Sequence, residues 1–467
     1  MYKNIVPLLF ATDSTYIFPT AVVINSILKN ADNTTFYDIY IFLDQKNIET
    51  CKSLLAKLEN LYENFKITYL KIDTQLFQNV KTTNPHVTNP AYFRLLAAEL
   101  LPQYDRCICL DSDILVKQDL TELYNVEMKD NYIAGVKSWD DQQPTEENRK
   151  HMLSDGLPSM DQYLYTGVLV MNLKQMRHEN VTAKFMQHIN KRYRSDDQDI
   201  FNICCYDRIT FLPAKYNLLI RFYHIKLLEG KQIYSKQELE EAWTRPVILH
   251  FPGRRIKPWV NGRVKEADDW WKYAEIYRDS KQYQYYREMQ KTWVQEIGWS
   301  GLMKKIDNHK KLVLFGFSDT GREVFYSLKR GGIYRVIGFC DNDSQKQGQL
   351  FEDVPIWSPS HLLKLDEEFV VIITSQFYFS EIKKQLIGLG FAPENIVVYN
   401  RKNPFYYRAI SDKYFKEELE DIYYKECGTP VTFTSDEYEE LIRKLKMSTE
   451  EARHLISKYS LNEWLLC

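Results

Sequence analysis

The chain has 467 residues, 44% hydrophobic and 27% charged, with a formal net charge of −2. Length suggests about three domains as a prior. The composition is that of a soluble globular protein, and the near-neutral balance argues against nucleic acid as a partner. No run approaches the roughly 20 apolar residues that span a bilayer, so peripheral membrane association is the most that is expected. Met1-Tyr2-Lys3-Asn4 leads straight into an apolar run, without the basic region and cleavage site of a secretory signal. The eight cysteines show no metal-type spacing, which leaves reduced thiols in a cytoplasmic protein as the expectation.

Ile5–Phe10 reads as a strand, followed by Ala11-Thr12-Asp13-Ser14-Thr15-Tyr16 and then apolar residues at helical spacing: Ala21, Val22, Ile24, Ile27, Leu28. Phe36–Leu43 is a second strand, Asn47–Tyr62 a helix, Phe65–Ile72 a third strand, and Tyr92–Leu101 a helix ended by Pro102. Strands alternating with helices indicate a mostly parallel sheet covered on both faces. Tyr132–Val136 is a further strand, and Trp139–Pro158 a polar loop or small helical insertion. Apolar character returns at Tyr163–Leu173. Asn180–Tyr193 is helical, and Asp196–Asp199 opens the helix Ile200–Cys205. Phe211–Pro213 and Val247–His250 are short strands. Glu266 to about Ile297 is helical and rich in Trp and Tyr.

A second α/β unit starts at Lys311–Phe315. Gly316–Arg322 is a glycine loop, Glu323–Lys329 a helix, and Tyr334–Phe339, Phe369–Ser375 and Ile396–Tyr399 are strands. Tyr414–Tyr424, Ser435–Met447 and Thr449–Tyr459 read as tail helices, the last two opening at Ser or Thr with acids in the first turn. The expected divisions are 1–262, a helical connection 263–305, a Rossmann-like domain 306–400 and a helical tail 401–467.

Chemistry concentrates in Arg106–Leu120. Cys107 to Leu110 are apolar, Asp111 and Asp113 follow one residue apart, and Ile114, Leu115 and Val116 resume the apolar run. Acids in such surroundings need compensation. A hard divalent cation at a strand's carboxyl end would supply it; two solvated acids at a strand end are the alternative.

Together with this stretch, Phe10-Ala11-Thr12-Asp13, Tyr92-Phe93-Arg94-Leu95, Asp197-Gln198-Asp199 and His250-Phe251-Pro252-Gly253 with Lys257 stand in the order found in family 8 of the retaining glycosyltransferases. The chain resembles that family, which includes lipopolysaccharide galactosyl- and glucosyltransferases and the glycogenins, over residues 4–260. The resemblance implies a GT-A fold, a mixed nucleotide-sugar-binding sheet with helices on both faces. It also implies manganese or magnesium and a UDP-sugar donor. Asp111, Asp113 and His250 would ligate the metal. Ala11, Asp13 and Tyr16 would meet the nucleotide, with Ser112 and Gly253 lining the same site. Lys257 would hold the departing diphosphate as a point charge. Arg94 would face the donor's sugar or diphosphate with its forked donors, and Gln198 and Asp197 would lie at the reacting sugar.

Three departures stand out. Three residues, Arg254, Arg255 and Ile256, separate Gly253 from Lys257, where the family commonly has two. Tyr165 in Leu164-Tyr165-Thr166-Gly167 replaces an Asn. Ser138 replaces an Asp, with Asp140 or Asp141 as substitutes. The expected activity is metal-dependent, retaining transfer of glucose or galactose to a hydroxyl of a glycan, glycolipid or glycoprotein, possible in a homodimer. The competing expectations are a silent sugar-nucleotide-binding scaffold and a nucleotide-sugar-modifying activity in the second domain. That domain has Gly316 and Gly321 but not the three-glycine dinucleotide fingerprint. Asp341 lies about 20 residues on, where a ribose-binding acid sits in doubly wound folds.

Overall fold

The computed structural model describes residues 2–80, 82–83, 89–220, 233–253, 256–296, 302, 305–306, 311–332, 334–375, 378–399 and 411. The chain divides into two compact units, Met1–Pro258 with Glu266–Tyr286, and Trp259–Lys265 with Arg287–Cys467.

In the first unit the strands are β1 (Asn4–Ala11), β2 (Thr35–Leu43), β3 (Phe65–Lys71), β4 (Cys107–Leu110), β5 (Ile114–Val116), β6 (Ile133–Lys137), β7 (Leu164–Met171), β8 (Ile209–Leu212), β9 (Leu218–Leu219) and β10 (Ile248–His250). Seven of them form one sheet in the order β3-β2-β1-β4-β7-β6-β8, and β5-β10-β9 form a second. β3, β2, β1 and β4 run parallel. β7 is antiparallel to both β4 and β6, while β8 pairs parallel with β6. The sheet is therefore mixed. All eight residues of β7 are buried, as befits a central strand covered on both faces.

Helix Ile17–Lys29 is buried along twelve of its thirteen residues. The Trp- and Tyr-rich segment expected after Glu266 forms helix Ala267–Ala274 and helix Lys281–Glu296. Its rings close over Phe18, which meets Trp270, Tyr277, Tyr283 and Tyr286 at centroid separations of 5.2–6.5 Å. Such aromatic pairs add about 0.5–1.5 kcal/mol each beyond the area they bury.

Some expected helices differ in extent. Tyr92–Leu101 breaks into Pro90–Phe93, a 3₁₀ turn at Arg94–Leu96, and Ala97–Leu100. Asn180–Tyr193 is helical only over Val181–Met186 and then closes in tight turns, although Ile189 and Tyr193 continue the apolar row of Val181 and Phe185 and are buried with it. The polar stretch before Pro158 does hold a helix, Glu146–Asp155. Thr145 caps it by accepting the Asn148 N–H, and Gly156 ends it at φ +74°.

The second unit carries β11 (Lys311–Phe315), β12 (Arg335–Cys340), β13 (Leu350–Phe351), β14 (Val354–Trp357), β15 (Phe369–Ile373) and β16 (Ile396–Val398), in the order β13-β14-β12-β11-β15-β16. All pairings are parallel except the hairpin β13–β14, which the sequence reading did not anticipate. The glycine loop leads into helix Asp319–Gly331, capped by Ser318. A Cβ at Gly321 would lie 2.1 Å from the Gly316 carbonyl oxygen, so glycine there is a matter of space. The expected tail helices lie outside the described residues. Among those described, no helix is long and apolar enough to cross a membrane, and Cys51, Cys107, Cys109, Cys204, Cys205 and Cys340 are free thiols.

Candidate active site

Strand register assembles the site. β4 ends at Leu110, and the chain turns through Asp111-Ser112-Asp113 before entering β5. β5 pairs antiparallel with β10 so that Ile114 faces His250, and the Phe251 N–H donates to the Asp113 carbonyl at 2.9 Å. On the other side, Leu110 pairs with Val168 and the Asp111 N–H donates to the Gly167 carbonyl at 2.8 Å. Two aspartates and a histidine far apart in sequence thus converge. One ligand atom from each of Asp111, Asp113 and His250 lies within 4.8 Å of the others. His250 Nε2 is 3.3 Å from Asp113 Oδ1 and 3.9 Å from Asp111 Oδ2.

The donor chemistry fits a divalent cation. His250 Nδ1 is 2.9 Å from Asn217 Oδ1. An amide oxygen can only accept, so the ring proton sits on Nδ1 and the Nε2 lone pair faces the carboxylates. Gly167 makes room: a Cβ there would stand 2.4 Å from His250 Cε1 and 2.8 Å from Asp111 Oδ2. Lys257 is buried and ion-paired with Asp113. Burial alone raises the Asp113 pKa, but Lys257 and His250 outweigh it and hold that carboxyl below its ordinary range. Asp111 shifts the other way, raised by burial against the pull of Arg94.

Arg94 is buried and makes four hydrogen bonds within the protein, with an ion pair to Asp197. Nε donates to Asp197 at 2.6 Å, Nη1 to the Thr166 carbonyl at 2.6 Å and to Asp111 at 3.2 Å, and Nη2 to Thr166 Oγ1 at 2.9 Å and to Asp197. It therefore ties Asp111 to the helix Asp197–Cys204. The tighter turn at Arg94–Leu96 interrupts the expected helix at this buried arginine. Burial raises the Asp197 carboxyl to about 6 against the opposing pull of Arg94. Asp196 enters this helix at φ +53°, an unusual conformation for a residue with a Cβ.

The first-strand motif meets the same corner. Ser112 Oγ is 2.7 Å from Thr20 Oγ1, which also bonds Thr12 Oγ1 and the Tyr16 carbonyl. Asp13 Oδ1 accepts the N–H groups of Thr15 and Tyr16 at 2.9 and 3.2 Å, so part of this carboxylate is engaged in shaping the turn. Lys257 Nζ lies 6.0 Å from the Tyr16 ring centre. Ala11 ends β1, half-buried, and Gly253 is exposed at φ +86°. Arg254 and Arg255 lie outside the described residues.

The two replaced positions each engage a neighbouring acid. Tyr165 OH donates to Asp140 at 3.2 Å and Ser138 Oγ donates to Asp141. Gln198 is half-buried, its Oε1 accepting the Thr166 N–H at 3.2 Å. Sequence reasoning quoted Thr166 and Gly167 in a motif segment without giving them a part, and it missed Asn217, Tyr163 and His151. Only the fold reveals these three, since none stands in a motif or carries a spacing signal.

Residues 7–262 match the family described as Glycosyl transferase family 8, and residues 308–397 match one described as C2185-like, N-terminal. Glycosyltransferase GlyF of Streptococcus pneumoniae is 28% identical over 59% of this chain and 62% of its own length. A lipopolysaccharide 1,2-glucosyltransferase of Escherichia coli is 29% identical over 57% of this chain and 76% of its own. Among solved structures, the apo form of the bifunctional glycosyltransferase WbbM superposes with a TM-score of 0.51 at 24% identity, covering 62% of this chain and 52% of that one. That likeness is one of fold, and the α/β mixed sheet of the first unit is the GT-A-like arrangement expected.

Proposed function

The chain belongs to glycosyl transferase family 8, and from that premise we propose that it moves a hexose, glucose or galactose, from a UDP-sugar to a hydroxyl of a glycan, glycolipid or glycoprotein, with retention at the anomeric carbon. The observation that carries the reading is the convergence of Asp111, Asp113 and His250, with the imidazole lone pair turned toward both acids. A divalent cation held there, manganese or magnesium, neutralises charge on a diphosphate leaving group. Lys257, whose ammonium is favoured by Asp113 despite burial, adds a second positive charge at the same corner. Arg94 fixes Asp197 and Asp111 relative to one another.

Asp199 is a poor nucleophile candidate. It is fully buried, and Tyr163, His151 and the Ser195 N–H occupy its oxygens. Asp197, the other carboxylate candidate for a covalent intermediate, is buried and paired with Arg94, and we favour same-face attack. The bond from the anomeric carbon to the diphosphate oxygen breaks, the acceptor oxygen bonds to that carbon on the same face, and its proton leaves on a diphosphate oxygen. Gln198, whose amide oxygen lies beside the Thr166 N–H, is the uncharged group facing that step.

The second unit is proposed as a nucleotide-fold module serving packing. Asp341, which stands where a ribose-binding acid would, instead accepts the Phe317 and Asp343 N–H groups at 2.8 and 2.9 Å and pairs with Lys346 at 3.2 Å.

Manganese-dependent hydrolysis of UDP-glucose or UDP-galactose without acceptor tests the proposal. Wild-type protein is expected to release UDP, and folded Asp111→Ala to release none above background. Equal rates in both would remove the site from the chemistry.

A further inference from the structure

Behind Gln198 lies a buried chain of polar side chains that metal and diphosphate binding do not require. Gln198 Nε2 donates to Tyr163 OH at 3.2 Å. Tyr163 OH donates in turn to Asp199 Oδ1. His151 Nε2 lies 3.0 and 2.9 Å from the two Asp199 oxygens, and the Ser195 N–H donates to Oδ2 at 2.7 Å. His151, Tyr163 and Asp199 are each at most 2% exposed. His151 Nδ1 is buried with no hydrogen-bond partner, so the tautomer with its proton on Nε2 strands no N–H and points that proton at Asp199.

The direction of the chain is fixed by its ends. The Thr166 N–H can only donate, so the Gln198 atom it meets must be the amide oxygen. Asp199 offers acceptors to three donors, so the Tyr163 hydrogen goes to Asp199 and its oxygen lone pair is left for the Gln198 amide nitrogen. A flipped amide would set two N–H groups against each other at Thr166 and two acceptors against each other at Tyr163. Buried mismatches of that kind are expensive. The next residue along the strand, Gly167, is the one packed against His250 and Asp111.

We propose that Tyr163, directly, and His151, through Asp199, are positioning residues that lock the Gln198 amide with its oxygen on the side of the metal-ligand cluster. They touch neither metal ligand nor diphosphate site. The inference rests on the glycosyltransferase reading and adds to it a rate-setting part for two residues outside the family motifs.

The test compares Tyr163→Phe, His151→Ala and His151→Gln with wild type in UDP-hexose turnover with manganese, alongside calorimetric UDP affinity in manganese buffer and thermal melting. Tyr163→Phe is expected to lower kcat by about tenfold or more with KM and UDP affinity within about twofold of wild type. His151→Ala is expected to lose kcat similarly, and His151→Gln, which keeps an N–H for Asp199, to recover most of it. The His151 pair decides the matter if Tyr163→Phe fails to fold. The proposal is overturned if folded Tyr163→Phe keeps its kcat, if UDP affinity falls in step with kcat, or if Gln at 151 does no better than Ala. A folded wild type that binds UDP but turns over no nucleotide sugar would overturn the underlying reading, and this one with it. That outcome is visible before any variant is made.

Discussion

Gly167→Ala is the sharpest perturbation of the metal-ligand cluster. The new methyl would stand 2.4 Å from His250 Cε1, 2.8 Å from Asp111 Oδ2 and 3.0 Å from His250 Nδ1, where ordinary contact begins at 3.4 Å. The His250 ring must therefore retreat by about 1 Å, several times the ~0.2 Å tolerance of a metal–ligand distance. The backbone at Gly167 is itself tied to the cluster, because its carbonyl accepts the Asp111 N–H at 2.8 Å. The imidazole is not free to turn, since Asn217 holds Nδ1 and the ring is buried. Manganese affinity measured with UDP present is expected to fall about 10- to 100-fold, or about 1.4–2.8 kcal/mol, the range seen when a ligand's supporting contacts are lost. Overpacking also costs about 1–3 kcal/mol of stability, so a control is needed. Gly135→Ala crowds Leu169 and Leu164 at 3.1 and 3.3 Å, away from the cluster, and should lower the melting temperature without changing manganese affinity. Folded Gly167→Ala with wild-type affinity would refute the reasoning.

Arg94→Lys keeps the charge but not the fork, and it leaves Asp197 and Thr166 short of donors. A loss approaching about 3–5 kcal/mol in urea unfolding is expected for disrupting this buried pair, and a loss below about 1 kcal/mol would contradict the clamp. Asp119 accepts the Asp32 N–H and Tyr37 O–H at 2.9 Å and the Thr121 N–H at 2.8 Å. Burial raises its pKa, but these donors outweigh burial and hold it below the ordinary carboxylate range. Its contribution is thus present above about pH 4 and lost as pH falls through the depressed value. Asp119→Asn should cost about 1–3 kcal/mol at neutral pH and flatten the acid limb of the stability curve. An unchanged limb would show that Asp119 does not carry it.

Much of the metal-ligand cluster was legible in the sequence because its residues contradict their surroundings. Asp111 and Asp113 interrupt an apolar run, and His250 ends one with glycine close behind. What brings them together, the antiparallel pairing of β5 with β10, has no local signature, and Ile114–Val116 reads as a continuation of β4 until the partner strand is seen. The protein partners of Arg94 are hidden for a related reason. A guanidinium in a motif suggests a ligand contact, and only the fold brings Asp197, Asp111 and Thr166 against it. The helix Glu146–Asp155 lay within a stretch read only as a polar loop or small helical insertion, and its caps at Thr145 and Gly156 emerge with the fold. Periodicity did not tell where helix Val181–Met186 would stop, because the apolar row runs on through Ile189 and Tyr193, which are buried without continuing the helix.

The central claim is that one cation is shared by Asp111, Asp113 and His250 beneath a nucleotide diphosphate. A crystal structure of the protein soaked with UDP and manganese tests it most directly. The account predicts anomalous density for one ion bonded to a carboxylate oxygen of each aspartate and to His250 Nε2, with the diphosphate bridging the ion and Lys257. An ion bound elsewhere, or UDP seated with no ion at those three side chains, would contradict it.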